Sequence, residues 1–97
     1  MTYKLEFLKS ALSEWEKLDN SIKQQFKKKL IERLENPHVQ SAKLSGYENI
    51  YKIKLRTAGF RLVYKVKDET VTVIVLTVGR RDKDLVYKQL KKAKGTF

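Results

Sequence analysis

The chain has 97 residues, with 22 lysine and arginine residues against 11 acidic ones, a formal net charge of +11 and no cysteine. This length fits one small domain over residues 1–97, and the missing cysteines together with a single histidine exclude a disulfide framework and a His/Cys metal cluster. Such an excess of positive charge is typical of a protein that meets a polyanion, and nucleic acid is the leading partner.

The first half of the chain is predicted to form a short strand and two helices. Apolar and charged residues alternate over residues 3–7, which predicts the strand. From Ser10 to Leu18 apolar residues recur at spacings of three and four, which predicts an amphipathic helix. Its inner face is predicted to hold Ala11, Leu12, Trp15 and Leu18, with Glu14, Glu16 and Lys17 outside.

A second helix is predicted to begin at a capping box formed by Ser21 and Gln24 and to end at Asn36 and Pro37. Its apolar residues recur at a spacing of four, so that one face can cover a sheet. These residues are Ile22, Phe26, Leu30 and Leu34. The next segment, 38–49, lacks periodicity and is predicted to be a loop.

The stretch from Tyr47 to Arg81 is predicted to form three antiparallel strands, with turns at 57–59 and 68–69. In the first strand, apolar residues alternate with Lys52, Lys54 and Arg56, so the three cations share one face. A matching register places Arg61 and Lys65 of the second strand on that same face. The third strand, over residues 71–78, is apolar on both sides, as in a partly covered central strand. We therefore predict a sheet with one apolar and one cationic face.

Gly79 ends the third strand, and acidic residues followed by lysines predict a short terminal helix. The predicted order is β-α-α-β-β-β-α, an α+β fold in which both N-terminal helices pack on one face of an antiparallel sheet. The longest apolar run, residues 73–76, is too short to span a bilayer, and no secretion signal follows Met1. We expect a cytoplasmic protein without a membrane partner or cofactor, although a metal held by carboxylates stays open.

These elements and the residues they carry resemble the RelE family of bacterial toxins. The likeness extends over nearly the whole chain and rests on Trp15, Leu18 and the segments 26–30, 51–56, 59–64, 78–81 and 86–87. It implies a RelE/ParE-like, microbial-RNase-like fold and a ribosome-dependent endoribonuclease that cuts messenger RNA in the ribosomal A site. It also implies a RelB-like antitoxin, with operator DNA bound only through the antitoxin complex.

RNA cleavage without a metal requires the 2′-hydroxyl to lose a proton, the phosphate to accept charge and the 5′-oxygen to gain a proton. A His/Glu pair usually moves these protons. Here His38 stands alone beside Pro37 and away from the cationic face, so lysine, arginine and tyrosine are the remaining candidates.

Five residues are the catalytic candidates: Lys52, Lys54, Arg61, Arg81 and Tyr87. The resemblance marks Tyr87 as the base and Arg81 as the residue that stabilises the leaving oxygen. Lys52 and Lys54 would hold the scissile phosphate, and the planar fork of Arg61 suits two phosphate oxygens. The alternatives are a tyrosine packed on the sheet and an ordinary solvated strand face.

A second group of cations is predicted to bind RNA, including ribosomal RNA, through the phosphate backbone. It consists of Lys23, Lys27, Lys28, Arg56, Lys65 and Arg80. In most proteins such residues form only a solvated surface.

Two other functions compete with the nuclease. One is a gyrase-inhibiting toxin similar to ParE, and the other is a non-catalytic nucleic-acid-binding module, which the charge alone would support. In the toxin case we expect an acidic, partly disordered antitoxin that covers the cationic face or displaces the final helix.

Overall fold

The computed structural model describes residues 2–80, which form two α-helices and four β-strands. In chain order these are β1 (Lys4–Phe7), α1 (Lys9–Glu16), α2 (Asn20–Glu35), β2 (Ile50–Leu55), β3 (Phe60–Lys67) and β4 (Thr72–Arg80). Single 3₁₀ turns lie at Gln40–Ala42 and Asp68–Thr70. The predicted terminal helix lies outside the described residues.

The strands form one sheet in the order β1-β4-β3-β2. The three later strands are the predicted antiparallel meander, whereas β1 pairs in parallel with β4, so that Phe7 lies opposite Val75. The sheet is therefore mixed rather than wholly antiparallel. The two helices and the β2–β3 hairpin separate β1 from β4 along the chain. A connection of this length allows the two strands to pair in parallel.

Both helices pack on one face of the sheet, and the α+β fold is confirmed. The ring of Trp15 lies between those of Phe7 and Phe26, with centroid distances of 5.4 and 6.2 Å. Phe26 is fully buried, and burial of each such side chain stabilises the fold by roughly 1.5–3 kcal/mol. The core under the helices consists of Ala11, Ile22, Phe26, Leu30, Tyr51, Ile53, Leu55, Leu62, Tyr64, Val66, Val73, Val75 and Val78.

The helix ends differ from those predicted. The second helix begins at Asn20 with extended backbone at Asp19, and Ser21 lies inside the helix without forming a capping box. The first helix ends at Glu16 rather than Leu18, because the Leu18 N–H donates to the Trp15 carbonyl in a tight final turn. Leu12 was predicted to lie inside but is 45% exposed, and α1 packs mainly against β4.

The opposite face of the sheet is only partly cationic, which corrects the prediction of a wholly cationic side. A smaller apolar cluster occupies this face, formed by Leu44, Ile50, Val63, Ile74 and Leu76. Leu44 comes from the predicted loop, where a 3₁₀ turn precedes a bridge between Lys43 and Tyr51. This short segment places the Leu44 side chain against the face of the sheet that lies opposite the helices.

Both turns of the meander form where the sequence predicted them. Gly59 has a φ of 74°, a left-handed conformation that costs glycine little, and its N–H donates to the Leu55 carbonyl. The second turn is the 3₁₀ turn at Asp68–Thr70, followed by Val71 with a φ of 51°. A β-branched residue is uncommon in that conformation, so the surrounding strands must hold it there.

Candidate functional site

Three of the predicted catalytic residues converge on one face of the hairpin formed by β2 and β3. Lys54 lies directly opposite Arg61, and Lys52 lies opposite Val63, one alternation further along β2. Directly opposed side chains have Cβ atoms about 4.5–5.5 Å apart, so Lys54 and Arg61 can bind a single anion. All three side chains are half-buried. We call Lys52, Lys54 and Arg61 the cationic row.

Gly79 of β4 lies opposite Arg61 on the other side of β3. Because glycine has no side chain, β4 contributes none beside Arg61 at this position. Arg80 lies opposite Phe60, and its guanidinium is 5.2 Å from the centroid of that ring. Strand alternation therefore directs Arg80 to the face opposite the cationic row.

The other predicted RNA-binding residues are spread over two sides of the molecule. Lys65 shares the face of the cationic row but lies between Ile50 and Ile74, two members of the apolar cluster. Arg56 is exposed in the turn after β2. The second helix carries Lys23, Lys27 and Lys28 on the far side of the sheet, with Lys27 and Lys28 exposed and Lys23 half-buried.

Arg81 and Tyr87 lie outside the described residues. Of the five predicted catalytic residues, the structure describes three, which lie on one face of the hairpin. The functions assigned to all five remain predictions.

Glu14 is a half-buried residue of α1, although the sequence pattern placed it on the outer side of this helix. Beyond Val75 the outer edge of β4 has no β1 residue beside it, and α1 packs there instead. The Glu14 Oε1 atom accepts hydrogen bonds from the Thr77 hydroxyl at 3.0 Å and the Val78 N–H at 3.2 Å. Burial raises the pKa of Glu14, and both hydrogen bonds and Lys17 partly oppose that rise.

His38 belongs to a hydrogen-bonded group on the side of the sheet opposite the cationic row. Its Nε2 atom is 2.9 Å from the Asp68 carboxylate, and its Nδ1 atom is 2.8 Å from the Tyr51 hydroxyl. The Tyr3 hydroxyl donates to the same carboxylate at 2.7 Å. A carboxylate only accepts hydrogen bonds, so Nε2 carries a proton. In a neutral His38 ring, Nδ1 then accepts a hydrogen bond from the Tyr51 hydroxyl.

These contacts shift the pKa values of Asp68, Tyr3 and Tyr51. The hydrogen bonds from His38 and Tyr3 lower the pKa of Asp68. The bond to Asp68 raises the pKa of Tyr3, and burial raises the pKa of Tyr51. Tyr51 is only 2% exposed, and its hydrogen bond to His38 joins the loop after α2 to the sheet.

Arg33 connects the last turn of α2 to the strands that carry the cationic row. Its Nη1 atom donates to the Tyr64 hydroxyl at 2.8 Å and to the Lys52 main-chain carbonyl at 3.2 Å. The Tyr64 hydroxyl in turn donates to the Pro37 carbonyl at 2.8 Å. Burial raises the pKa of Tyr64, and the hydrogen bond from Arg33 opposes this rise. No periodicity in the sequence distinguishes Arg33 from the other charged residues of this helix.

The chemistry of the row is that of an anion site. Three cations lie together, and among residues 2–80 no group of three His, Cys, Asp or Glu side chains is arranged to hold a metal ion. Positive side chains of this kind neutralise a phosphate and the charge that develops on it.

An apolar groove lies beside β1, which is an edge of the described sheet. It has a volume of about 250 Å³ and is lined almost entirely by apolar atoms. Its walls are Leu5, Phe7, Trp15, Lys27, Leu30, Ile31 and Leu34. No helix among residues 2–80 is both long and apolar enough to cross a bilayer.

Comparison with known proteins gives concordant matches. Residues 5–85 match the sequence model of a family described as the ParE toxin of the type II toxin–antitoxin system parDE. The mRNA interferase toxin RelE of Escherichia coli strain K12 is 49% identical over 92 residues, covering 95% of this chain and 97% of that protein.

Solved structures agree with these matches. A mutant of E. coli toxin RelE in the free state has a TM-score of 0.88 and 48% identity, covering 95% of this chain and 97% of that one. The intact E. coli RelBE toxin–antitoxin complex gives a TM-score of 0.81 and 49% identity, covering 84% of this chain and 99% of the matched chain.

Proposed function

The chain belongs to the ParE/RelE family of type II toxins, and from this membership we propose that it is a ribosome-dependent endoribonuclease that cuts messenger RNA in the ribosomal A site. The observation that carries the proposal is the cationic row in a chain 49% identical to a protein named an mRNA interferase. The row supplies the phosphate site that such a reaction needs.

In the proposed reaction the 2′-oxygen attacks the adjacent phosphorus and the bond from phosphorus to the 5′-oxygen breaks. The products are a 2′,3′-cyclic phosphate and a free 5′-hydroxyl. Arg61 and Lys54 bind the non-bridging oxygens as negative charge grows on them, and Lys52 holds the phosphate from along the same strand. No metal ion is needed in this scheme, because the cations themselves neutralise the phosphate and would repel a divalent ion.

The proton transfers are assigned to residues beyond the described part of the chain. Tyr87 would take the proton of the 2′-hydroxyl, because neighbouring cations favour the phenolate. Arg81 would stabilise the leaving 5′-oxygen, with water carrying the proton, since arginine barely deprotonates. Both assignments come from the family resemblance.

Dependence on the ribosome would follow from the weakness of this base. The ribosome would align the 2′-hydroxyl with the phosphate, which an isolated toxin with no His/Glu pair achieves poorly. On α2, the predicted RNA-binding residues are Lys23, Lys27 and Lys28. They lie on the opposite side of the sheet from the cationic row and would contact 16S ribosomal RNA while the row contacts the message.

A RelB-like antitoxin is the proposed partner, since the RelBE complex is among the similar structures. The positive charge of the chain favours an acidic partner. Beside β1, the exposed backbone edge and the apolar groove would suit an extended segment with alternating apolar side chains.

Primer extension on messenger RNA from translating ribosomes tests the function. We expect new ends inside codons when the purified chain is added and no comparable cleavage of naked RNA. Arg61→Ala should reduce cleavage by about 10²–10³-fold while ribosome binding persists. Lys9→Ala removes the same charge from the exposed start of α1 and should cleave normally. Equal cleavage by the Arg61 and Lys9 variants would contradict the assignment of the site.

The ParE description of the matching family keeps a gyrase inhibitor as the second candidate. A supercoiling assay with purified gyrase separates the two functions. Inhibition of supercoiling without new messenger RNA ends would replace the nuclease by this alternative.

A further inference from the structure

The outer edge of β2 carries two members of the cationic row on a stretch that no described strand covers. β2 is the last strand in the sheet order, and its only outer pairing among the described residues is the bridge from Lys43 to Tyr51. The Leu44 N–H donates to the Ile50 carbonyl at 2.9 Å on this edge. Carbonyls two residues apart point the same way, so the Lys52 carbonyl is the next acceptor along it.

At this edge, Arg33 supplies a hydrogen-bond donor of the kind that a neighbouring strand would provide. Its Nη1 atom donates to the Lys52 carbonyl at 3.2 Å, just beyond the end of the bridge. The guanidinium reaches this edge from the last turn of α2, on the side of the sheet opposite the cationic row. The hydrogen bond therefore acts on the backbone of Lys52 and leaves its side chain available.

The position of the Arg33 guanidinium is itself fixed by buried groups. The same Nη1 atom donates to the Tyr64 hydroxyl at 2.8 Å, and the guanidinium carbon is 5.7 Å from the centroid of the Tyr64 ring. Tyr64 is fully buried and its hydroxyl donates to the Pro37 carbonyl. A continuous path thus leads from the end of α2 through Arg33 to the main chain of Lys52.

We propose that Arg33 is a positioning residue for RNA cleavage, holding the backbone of Lys52 so that the row keeps its spacing to the phosphate. The inference rests on the proposed nuclease function. A misplacement of about 1 Å can slow a reaction by roughly 10²-fold, so an edge strand that carries reacting groups requires an anchor.

The test compares Arg33→Met with Lys29→Met on programmed ribosomes. Lys29 is an exposed residue of the same helix, one turn earlier, so both changes remove one positive charge and keep an unbranched side chain. We expect Arg33→Met to lower the single-turnover cleavage rate roughly tenfold or more at saturating protein. The concentration that gives half-maximal cleavage should stay near the wild-type value, and Lys29→Met should match the wild type in both.

A double-variant comparison shows whether Arg33 acts through Lys52. If it does, adding Arg33→Met to Lys52→Ala should cost little beyond Lys52→Ala alone. Independent, multiplying losses would overturn the proposal. A rate loss that merely follows the unfolded fraction measured by thermal unfolding would overturn it too, since that describes a purely structural role.

A measurement without RNA separates this inference from the proposed function. In isotope-labelled protein the carbonyl ¹³C resonance of Lys52 should move upfield in Arg33→Met and stay unchanged in Lys29→Met. An unchanged resonance would refute the anchor even if cleavage fell. A wild-type chain that cuts no messenger RNA would refute the nuclease function, and with it the catalytic part of this inference, whatever the resonance does.

Discussion

Removing the Glu14 carboxylate should destabilise the part of β4 that extends past its pairing with β1. The Thr77 hydroxyl and the Val78 N–H both donate to Glu14 Oε1. These two residues are 1% and 2% exposed, so water cannot readily replace the lost acceptor. The substitution to compare first is Glu14→Ala, which deletes the acceptor for both donors.

The size of the effect follows from the two donors. Leaving a buried donor unsatisfied costs about 1–3 kcal/mol, and a hydroxyl can turn towards another acceptor, so we expect Glu14→Ala to lose about 2–4 kcal/mol of the free energy of unfolding. Glu14→Gln keeps an oxygen in the same place and should stay within about 1 kcal/mol of the wild type. Glutamine also avoids the cost of burying a charge.

Urea unfolding of the purified variants measures both values. Glu16→Ala is the matched control, because it removes the same charge from an exposed position of the same helix. We expect this control to change the free energy of unfolding by less than about 0.5 kcal/mol. If Glu14→Ala and Glu16→Ala are equally stable, the hydrogen bonds to β4 do not contribute in the way we argue.

The pH dependence supplies a second check on Glu14. Its folded pKa lies above the ordinary value of 4.5, so the folded state binds the proton more tightly than the unfolded state does. The stability of the wild type relative to Glu14→Gln should therefore fall as the pH rises from 4.5 through the raised folded pKa. Below that window both states are protonated and the difference should be constant. A relative stability that rises with pH would contradict the assignment.

The remaining predictions concern the core and the acidic end of the sheet. Phe26→Ala should lower the free energy of unfolding, measured in urea, by about 3–5 kcal/mol. Ile31→Ala changes a side chain that is 65% exposed and should lower it far less. Similar losses in the two variants would contradict the burial of Phe26 in the core. Because contacts with His38 and Tyr3 lower the pKa of Asp68, its contribution is complete above the ordinary 3.8 and disappears as the pH falls through the folded value. In Asp68→Asn, the free energy of unfolding should therefore fall less steeply as the pH is lowered than it does in the wild type. The same dependence on pH in both proteins would refute this.

Much of the fold was predictable because its local patterns have clear periods. Alternation alone placed Lys52, Lys54 and Arg61 on one face, and the register of the hairpin follows from the turn at 57–59. The helices were predictable for the same reason, since a stripe of apolar residues determines which side is buried. The grouping of Lys52, Lys54 and Arg61 on one face thus follows from the two-residue period of the strands.

The misplaced features all depend on contacts between distant segments. The outer position predicted for Glu14 was wrong because β1 is shorter than β4 and leaves a donor that the helix can reach. The apolar cluster on the cationic face was missed because Leu44 reaches it from a segment without periodicity. Glu14 is 63 and 64 residues away from its two donors along the chain, so no local pattern reveals those contacts.

By itself, the sequence determined the order of the described helices and strands, most of their buried residues and the side of the hairpin on which Lys52, Lys54 and Arg61 lie, because these depend on neighbours along the chain. Only the tertiary structure decided that β1 joins in parallel, that Glu14 completes the edge of β4 and that Arg33 holds the backbone of Lys52. The contacts of Glu14 and Arg33 arise where a strand extends past its neighbour and a backbone donor or acceptor has no partner in the next strand. Which side chain satisfies it is determined by distance in space.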